Sequence, residues 1–418
     1  MTKRTGQVLL SFALVGWAVV IGVPRAFAHG EAADEPFLKN MTTAFFDVSV
    51  SPTEIQVGDP VTITGRVKIL ETWPHTLYTP EIASIIPVVP GPVFMLKERT
   101  VNGEASIGSF LVEKGGIYEF RMVIIGKEPG DWHVHPGIAI HGTGTLIGPA
   151  EWVSVAPSPT PLEFPVTLLS GETIELGSYG GSFVVWWSFL GFGLGLVWMF
   201  YWTLNKRTVT NLAVTLQIPP NDDAPDLGLI TPRDHMWMNV IAGAALIMLV
   251  VGWTYAATSY PVRWPQQTDW FTPAFIPSGP KMAEVWASGA TFDEGTETLE
   301  MDVRVTNVAD SPIRLKKYTM AMASFVNGGE QEQAAAGPRD FVGPLDVDPN
   351  MPIGPGESQD LKLSISSTIF GVERLIPLSA PQQYIAGVIQ FENATGEQEL
   401  VTVRSSVIPT RFTPQYLP

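Results

Sequence analysis

Two stretches of this chain are apolar without a single charge, and most of what surrounds them alternates. Phe183–Leu204 and Met236–Ala257 each run 22 residues with no charged side chain. As helices they reach about 33 Å, enough to cross a hydrocarbon core of roughly 30 Å. Trp186, Trp187, Trp198, Tyr201 and Trp202 stand near the ends of the first run, and Trp237, Trp253 and Tyr255 near the ends of the second. That is the placement of interfacial aromatic belts; a buried hairpin of a soluble protein is the competing reading. A third apolar run, Val8–Val23, follows Lys3 and Arg4 and leads into Ala26-Phe27-Ala28. A basic start, an apolar middle and a small-x-small end predict an export signal over residues 1–28, so that the mature chain begins at His29. An uncleaved anchor is the alternative.

The remaining pattern has period two. Val61-Thr62-Ile63-Thr64-Gly65-Arg66-Val67, Tyr118-Glu119-Phe120-Arg121-Met122 and Leu299-Glu300-Met301-Asp302-Val303-Arg304-Val305 alternate apolar with polar, as does Leu361-Lys362-Leu363-Ser364-Ile365. Phe45–Val50 is a further β-rich run. Turn signals punctuate them at Val57-Gly58-Asp59-Pro60, Pro90-Gly91-Pro92, Glu128-Pro129-Gly130-Asp131 and Ile353-Gly354-Pro355-Gly356. Short alternating strands between Gly/Pro turns predict β-sandwiches on both sides of the apolar pair. The expected division is therefore a signal at 1–28, a β domain at 29–180, a hairpin of two spans at 181–260 (183–204 and 236–257) and a second β domain at 261–418.

Charge then orients the hairpin. Lys206, Arg207 and Arg233 flank the inner ends of the spans. The excess of basic residues there places the connecting loop in the cytoplasm and both β domains outside, since acidic residues weigh little in this rule. The domains outside agree with the export signal. The chain as a whole is acidic, with a formal net charge of −16. It lacks the basic footprint that phosphate backbones require, which excludes nucleic acid as a partner.

Cysteine is absent. That excludes disulfides, thiolate nucleophiles, iron–sulfur clusters and thiolate copper sites. Transition-metal chemistry is left to six histidines: His29, His75, His133, His135, His141 and His235. In Asp131-Trp132-His133-Val134-His135-Pro136 the two imidazoles share one face of a strand, about 6.6 Å apart along it. A histidine pair held by ordinary hydrogen bonds explains the same motif. His29 adds weight to the metal reading. A chain that begins with histidine offers an imidazole and a free α-amine of low pKa. Three imidazoles and one amine suit copper or zinc, and an oxidising compartment favours copper. His141 lies at an even offset from His135, but Pro136 and Gly137 are expected to bend the strand first. His75, after Trp73-Pro74, is expected in a loop, and His235 at a membrane boundary. The segment 261–418 contains no histidine, so it is expected to supply packing or an interface. No nucleophile motif or phosphate loop is visible, and no catalytic residue is assigned.

The chain resembles the B subunit of the copper-containing membrane monooxygenases, which include particulate methane and ammonia monooxygenases. The resemblance rests on Ala28-His29-Gly30-Glu31, Trp73-Pro74, Pro90-Gly91-Pro92-Val93-Phe94 and, most specifically, Pro129-Gly130-Asp131-Trp132-His133-Val134-His135. Ile147-Gly148-Pro149, Ser170-Gly171-Glu172-Thr173, Tyr260-Pro261 and Asn307–Leu315 continue it in order. It implies a mainly β fold with transmembrane α: two extracytoplasmic cupredoxin-like β-sandwich domains joined by a two-helix transmembrane hairpin. It implies copper held by His29, His133 and His135. It also implies A and C subunits as partners in a trimer of heterotrimers, in the cell or an intracytoplasmic membrane. The activity it implies is hydroxylation of methane, a short-chain alkane or ammonia with dioxygen. Some methane-oxidising members carry a further histidine where this chain has Ala44, which counts against a second nearby copper. The divergent tail with Trp264-Pro265 and Trp270-Phe271 suggests a short-alkane oxidiser. Two other readings stand beside this one: a copper-holding or structural subunit with the oxidation in a partner, and a periplasmic copper carrier. Against the carrier, the thirteen methionines form no cluster.

Overall fold

The computed structural model describes residues 36–160, 162–168, 171–204, 231–261, 270–376 and 383–411. The signal, His29 and the stretch bearing Lys206 and Arg207 lie outside the described residues. The chain forms two compact units, one of residues up to Thr160 and from Gln267 onward, the other of residues Pro161–Gln266.

The described residues of the first unit begin with a short helix α1 (Pro36–Thr42), followed by β1 (Thr43–Ser51), β2 (Glu54–Gln56), β3 (Pro60–Ile69), β4 (Ile82–Val88) and β5 (Phe94–Val101). Then come β6 (Glu104–Ala105), β7 (Phe110–Leu111), β8 (Ile117–Gly126), β9 (Gly130–Ile140), β10 (Gly144–Ile147) and β11 (Glu151–Ala156). They build a sheet of order β1-β3-β8-β5-β6 and a sheet of order β2-β11-β9-β4-β7, with β10 also paired to β9. The predicted alternation is what closes them: Ile63 and Phe120 from one sheet meet Ile85, Val134, Ile138 and Val153 from the other in one core. The Arg99 guanidinium on β5 fastens this sandwich by donating to the carbonyls of Ile85 (2.6 Å), Ser106 (2.6 Å), Ile107 (2.9 Å) and Gly108 (2.9 Å).

In the second unit, a two-stranded ribbon of β12 (Pro165–Thr167) and β13 (Thr173–Glu175) precedes the helices α2 (Gly181–Leu204) and α3 (Pro232–Ser259). Both helices are long and apolar enough to cross a membrane. Helix α3 starts earlier than hydropathy alone indicates. Thr231 caps it, Pro232 occupies its first turn, and the Asp234 carboxylate accepts the Thr231 backbone N–H (2.7 Å) in a capping box. Asp234 also accepts the Tyr201 hydroxyl of α2 at 2.6 Å, tying the two helices at that end. Further along, Trp187 of α2 lies against Gly252 of α3, so close that a Cβ there would sit 2.4 Å from the indole.

The rest of the first unit is β14 (Ala283–Asp293), β15 (Thr298–Asn307), β16 (Ile313–Met320) and β17 (Ala323–Val326), then helix α4 (Glu330–Ala335). Strands β18 (Val342–Pro344), β19 (Asp346–Asp348), β20 (Ser358–Ser366), β21 (Tyr384–Asn393) and β22 (Gln398–Arg411) complete it. The strands form one sheet of order β18-β17-β16-β21-β22-β14-β15-β20-β19 around Phe292, Tyr318, Phe325, Leu363 and Phe391. The fold is thus mainly β with two membrane-length helices, as expected.

The two β parts of this unit share a seam. Ala44 and Phe46 of β1 bury with Leu70 and Ile117 against Ala386, Val388 and Leu400. Asp47 sits in a β-bulge with φ of 53°. It accepts from Lys317 Nζ at 2.7 Å and from Arg66. Burial pushes its carboxyl pKa up, but the attraction of Lys317 and the hydrogen bonds from Lys317 and Arg66 outweigh it and hold the pKa below its ordinary value of 3.8. At the start of the unit, α1 is fastened by Lys39 Nζ donating to the Glu373 carbonyl (2.9 Å) and by Asn40 donating to the Leu375 carbonyl.

Candidate metal centre

Strand β9 carries both histidines of the predicted pair, and its neighbours explain their orientation. Val134 points into the sandwich core, so His133 and His135 face the other way. From Gly130 to Val134 the strand pairs with β11; from His135 to Ile140 it pairs with β4. On the β11 side the pairing is interrupted: Ile147 stands opposite Gly137 and Glu151 opposite Val134, so that Gly148, Pro149 and Ala150 face only His135 and Pro136. This one-residue excess has the form of a bulge, the device that re-aims groups beside functional sites. It explains how Pro136 fits within a central strand, where a proline is otherwise excluded. The expected bend at Pro136-Gly137 is not found. β9 continues unbroken to Ile140, and His141 is exposed in the following turn, about 20 Å of strand from His135. His141 is separated from the pair by distance rather than by a turn of the strand.

The bulge frees the Gly148 peptide for two tasks. Its N–H donates to the Pro136 carbonyl at 2.7 Å. Its carbonyl stands 2.9 Å from His135 Nδ1. A carbonyl can only accept, so Nδ1 carries a proton, and in the neutral imidazole Nε2 is the acceptor. It then accepts from His133 Nδ1, 3.1 Å away. Only glycine fits at position 148. A Cβ would lie 2.8 Å from Phe45 Cδ1 and 2.9 Å from Pro136 Cγ. His135 is buried, and the two imidazoles meet edge to face at 80°. The indole of Trp152, the residue paired with His133 on β11, lies 4.7 Å from the His133 ring at 33°.

The donor set fits a transition metal. Two imidazole nitrogens 3.1 Å apart on adjacent side chains are the donor type that copper or zinc takes, and both could turn toward one ion. The carbonyl behind His135 is the outer partner that metal-binding histidines characteristically have. Among the described residues no group of three or more His, Asp or Glu side chains converges to hold a metal. His29 lies outside the described residues. His75 is exposed in a loop, as expected, and His235 is exposed in the first turn of α3. Ala44 is fully buried in the apolar seam. The Gly148 carbonyl and Trp152 are the site components that sequence reasoning missed. Gly148-Pro149, standing between two β runs, was the available signal for the bulge.

Known proteins resemble this chain at the level of the family. Over 399 residues, 94% of each chain, the sequence is 29% identical to the particulate methane monooxygenase alpha subunit of Methylococcus capsulatus. Among solved structures, the cupredoxin domain of amoB from Nitrosocaldus yellowstonii matches 31% of this chain and 96% of its own, at 18% identity and a TM-score of 0.25. A cohesin module from a Clostridium perfringens glycoside hydrolase matches 28% of this chain and 99% of its own, at 13% identity and a TM-score of 0.18. The family of monooxygenase B-subunit proteins matches residues 30–411, nearly the whole sequence, and the chain belongs to that family.

Proposed function

We propose that this chain is the copper-binding B subunit of a membrane-bound monooxygenase that hydroxylates a small substrate, methane, a short-chain alkane or ammonia, with dioxygen. The observation that carries the metal assignment is the His133–His135 pair, with its nitrogens 3.1 Å apart and His135 held by the Gly148 carbonyl. His29, first residue of the mature chain once residues 1–28 are removed, completes the set with its imidazole and α-amine. Copper bound there would supply one-electron chemistry with dioxygen. The protein's share is to hold His135 in the tautomer that presents Nε2, to set His133 beside it, and to keep His135 out of water. The β domains, assigned to 29–180 and 261–418, lie outside the membrane, with the loop between the spans in the cytoplasm. The relative in Methylococcus capsulatus is named as one subunit of a particulate monooxygenase, which supports partner subunits; in this reading they are A and C subunits in the same membrane, three copies of each.

A second reading is a subunit that holds copper while oxidation proceeds in a partner. One experiment separates the readings. In the intact complex, His133→Ala and His135→Ala should each remove copper, measured by elemental analysis, and the Cu(II) paramagnetic resonance signal of nitrogen ligation; His141→Ala should leave both unchanged. Loss of copper with loss of oxygenase activity supports a catalytic or delivery role, and loss of copper with full activity supports the holding role. Retention of copper in both variants would refute the site.

A further inference from the structure

The Trp152 side chain is placed where a core residue would not be. It is 56% exposed, yet its indole lies over the His133 imidazole, tilted by 33° with ring centroids 4.7 Å apart. Neighbouring residues of a strand pair face the same side, and Trp152 is directly opposite His133 in the β9–β11 ladder. The pairing is therefore fixed by backbone register, while the rings meet on the surface away from the sandwich core. The next residue on the same strand face, Ser154, is also exposed, and the inward residues Val153 and Val155 supply the packing. Trp152 adds little to the core, and its one aromatic partner among the described residues is His133.

His133 differs from its neighbour in how it is held. His135 is buried and has the Gly148 carbonyl behind it. His133 is half-buried. We infer that Trp152 is a positioning residue for the metal site: by stacking on the His133 ring it holds the imidazole in the rotamer that aims Nδ1 at His135 Nε2, and it covers the solvent side of that ligand. This rests on the copper assignment of the preceding section. A hydrogen bond from a bulge then bears on the buried ligand, and an aromatic plate from the opposite strand bears on the outer one. The expected effect follows from the contact. An aromatic pair is worth roughly 0.5–1.5 kcal/mol beyond its buried area, or about 2- to 12-fold in an equilibrium constant. Removing the indole takes this contact away from His133 and should weaken copper binding by about that factor.

The test uses the full chain in its membrane complex, with wild type, Trp152→Ala, Trp152→Phe and His133→Ala. Cu(II) affinity is measured by competition with a chelator, ligand geometry by paramagnetic resonance, and proximity by the tryptophan emission that Cu(II) quenches. Trp152→Ala should lower affinity by about five-fold and broaden the Cu(II) signal, with an unchanged thermal unfolding midpoint. Trp152→Phe, which keeps a ring face, should restore affinity to within about two-fold. The emission quenched by Cu(II) in wild type should be smaller in Trp152→Phe by the contribution of this one indole. If His133→Ala empties the site while Trp152→Ala matches wild type in affinity and resonance signal, the role of Trp152 is refuted and the copper site stands. If Trp152→Phe behaves as Trp152→Ala does, stacking is not the cause. If His133→Ala retains the Cu(II) signal, the site itself is wrong and the role of Trp152 falls with it.

Discussion

Replacing Gly148 with alanine should loosen His135 without touching either imidazole. The backbone at Gly148 is not in the left-handed region, so alanine meets no conformational barrier there. Its methyl would meet only space that is already filled: Phe45 Cδ1 at 2.8 Å, Pro136 Cγ at 2.9 Å and Phe45 Cγ at 3.0 Å. Ordinary carbon contacts lie at about 3.5–4.0 Å, so something must move by roughly 0.6–1 Å. Phe45 is buried in the sandwich core, and Pro136 is fixed between two strands. The segment that yields is 148–150, and the Gly148 carbonyl moves with it. A 2.9 Å hydrogen bond lengthened by that amount is no longer one. Overpacking of this kind costs about 1–3 kcal/mol in stability. Loss of an outer partner costs about 10–100-fold in metal affinity. Chemical unfolding of the purified complex and chelator competition measure the two effects separately. A Gly148→Ala protein with wild-type copper affinity, whatever its stability, would show that this carbonyl does not hold His135.

Three further outcomes concern the scaffold. Asp47→Asn should lower stability by about 1–2 kcal/mol, since it leaves Lys317 buried without its carboxylate while the 36%-exposed Asp47 is partly screened by water. Because the folded pKa of Asp47 is depressed, its contribution is present above pH 3.8 and is lost as pH falls through the lower folded value; unfolding of wild type and Asp47→Asn should therefore converge in strong acid, and a difference independent of pH would refute the ion pair. Tyr201→Phe should destabilise the helix pair by about 0.5–1.5 kcal/mol by removing the hydroxyl donor to Asp234, seen as a lower thermal midpoint in detergent; an unchanged midpoint would mean the bond is not kept. Gly252→Ala should cost about 1–3 kcal/mol because its methyl would overlap Trp187, read in the same assay, and a stabilised protein would contradict the packing.

Much of this architecture is legible in the sequence because the relevant rules are local. Twenty-two apolar residues in succession have few environments open to them, so both long helices could be placed. The start of α3 is read late by hydropathy, which registers Met236, whereas the physical start is the Thr231–Asp234 cap. Period-two alternation in β3 and β15 announces a sandwich face, and the same rule puts His133 and His135 together. The partners that hold them are not local. The Gly148 carbonyl reaches His135 through the pairing of β9 with two separate strands, and Trp152 reaches His133 through register alone. Proline rules predict a break at Pro136 because they take no account of a bulge on the opposite strand. The seam is hidden for a similar reason: Asp47 reads as an ordinary polar position until a partner 270 residues away is in view.

Pro136 of β9 lies directly opposite Pro87 of β4. Neither residue has an N–H to give, so this rung of the ladder can exist only where no donor is required of either strand. Slipping β9 by one residue would bring a proline to a rung that demands a donor, and would also turn His133 and His135 toward the apolar core. The two errors are inseparable, and both penalise the same misfolded arrangement. The facing prolines thus penalise a one-residue slip of β9 against β4, the slip that would bury His133 and His135 in the core.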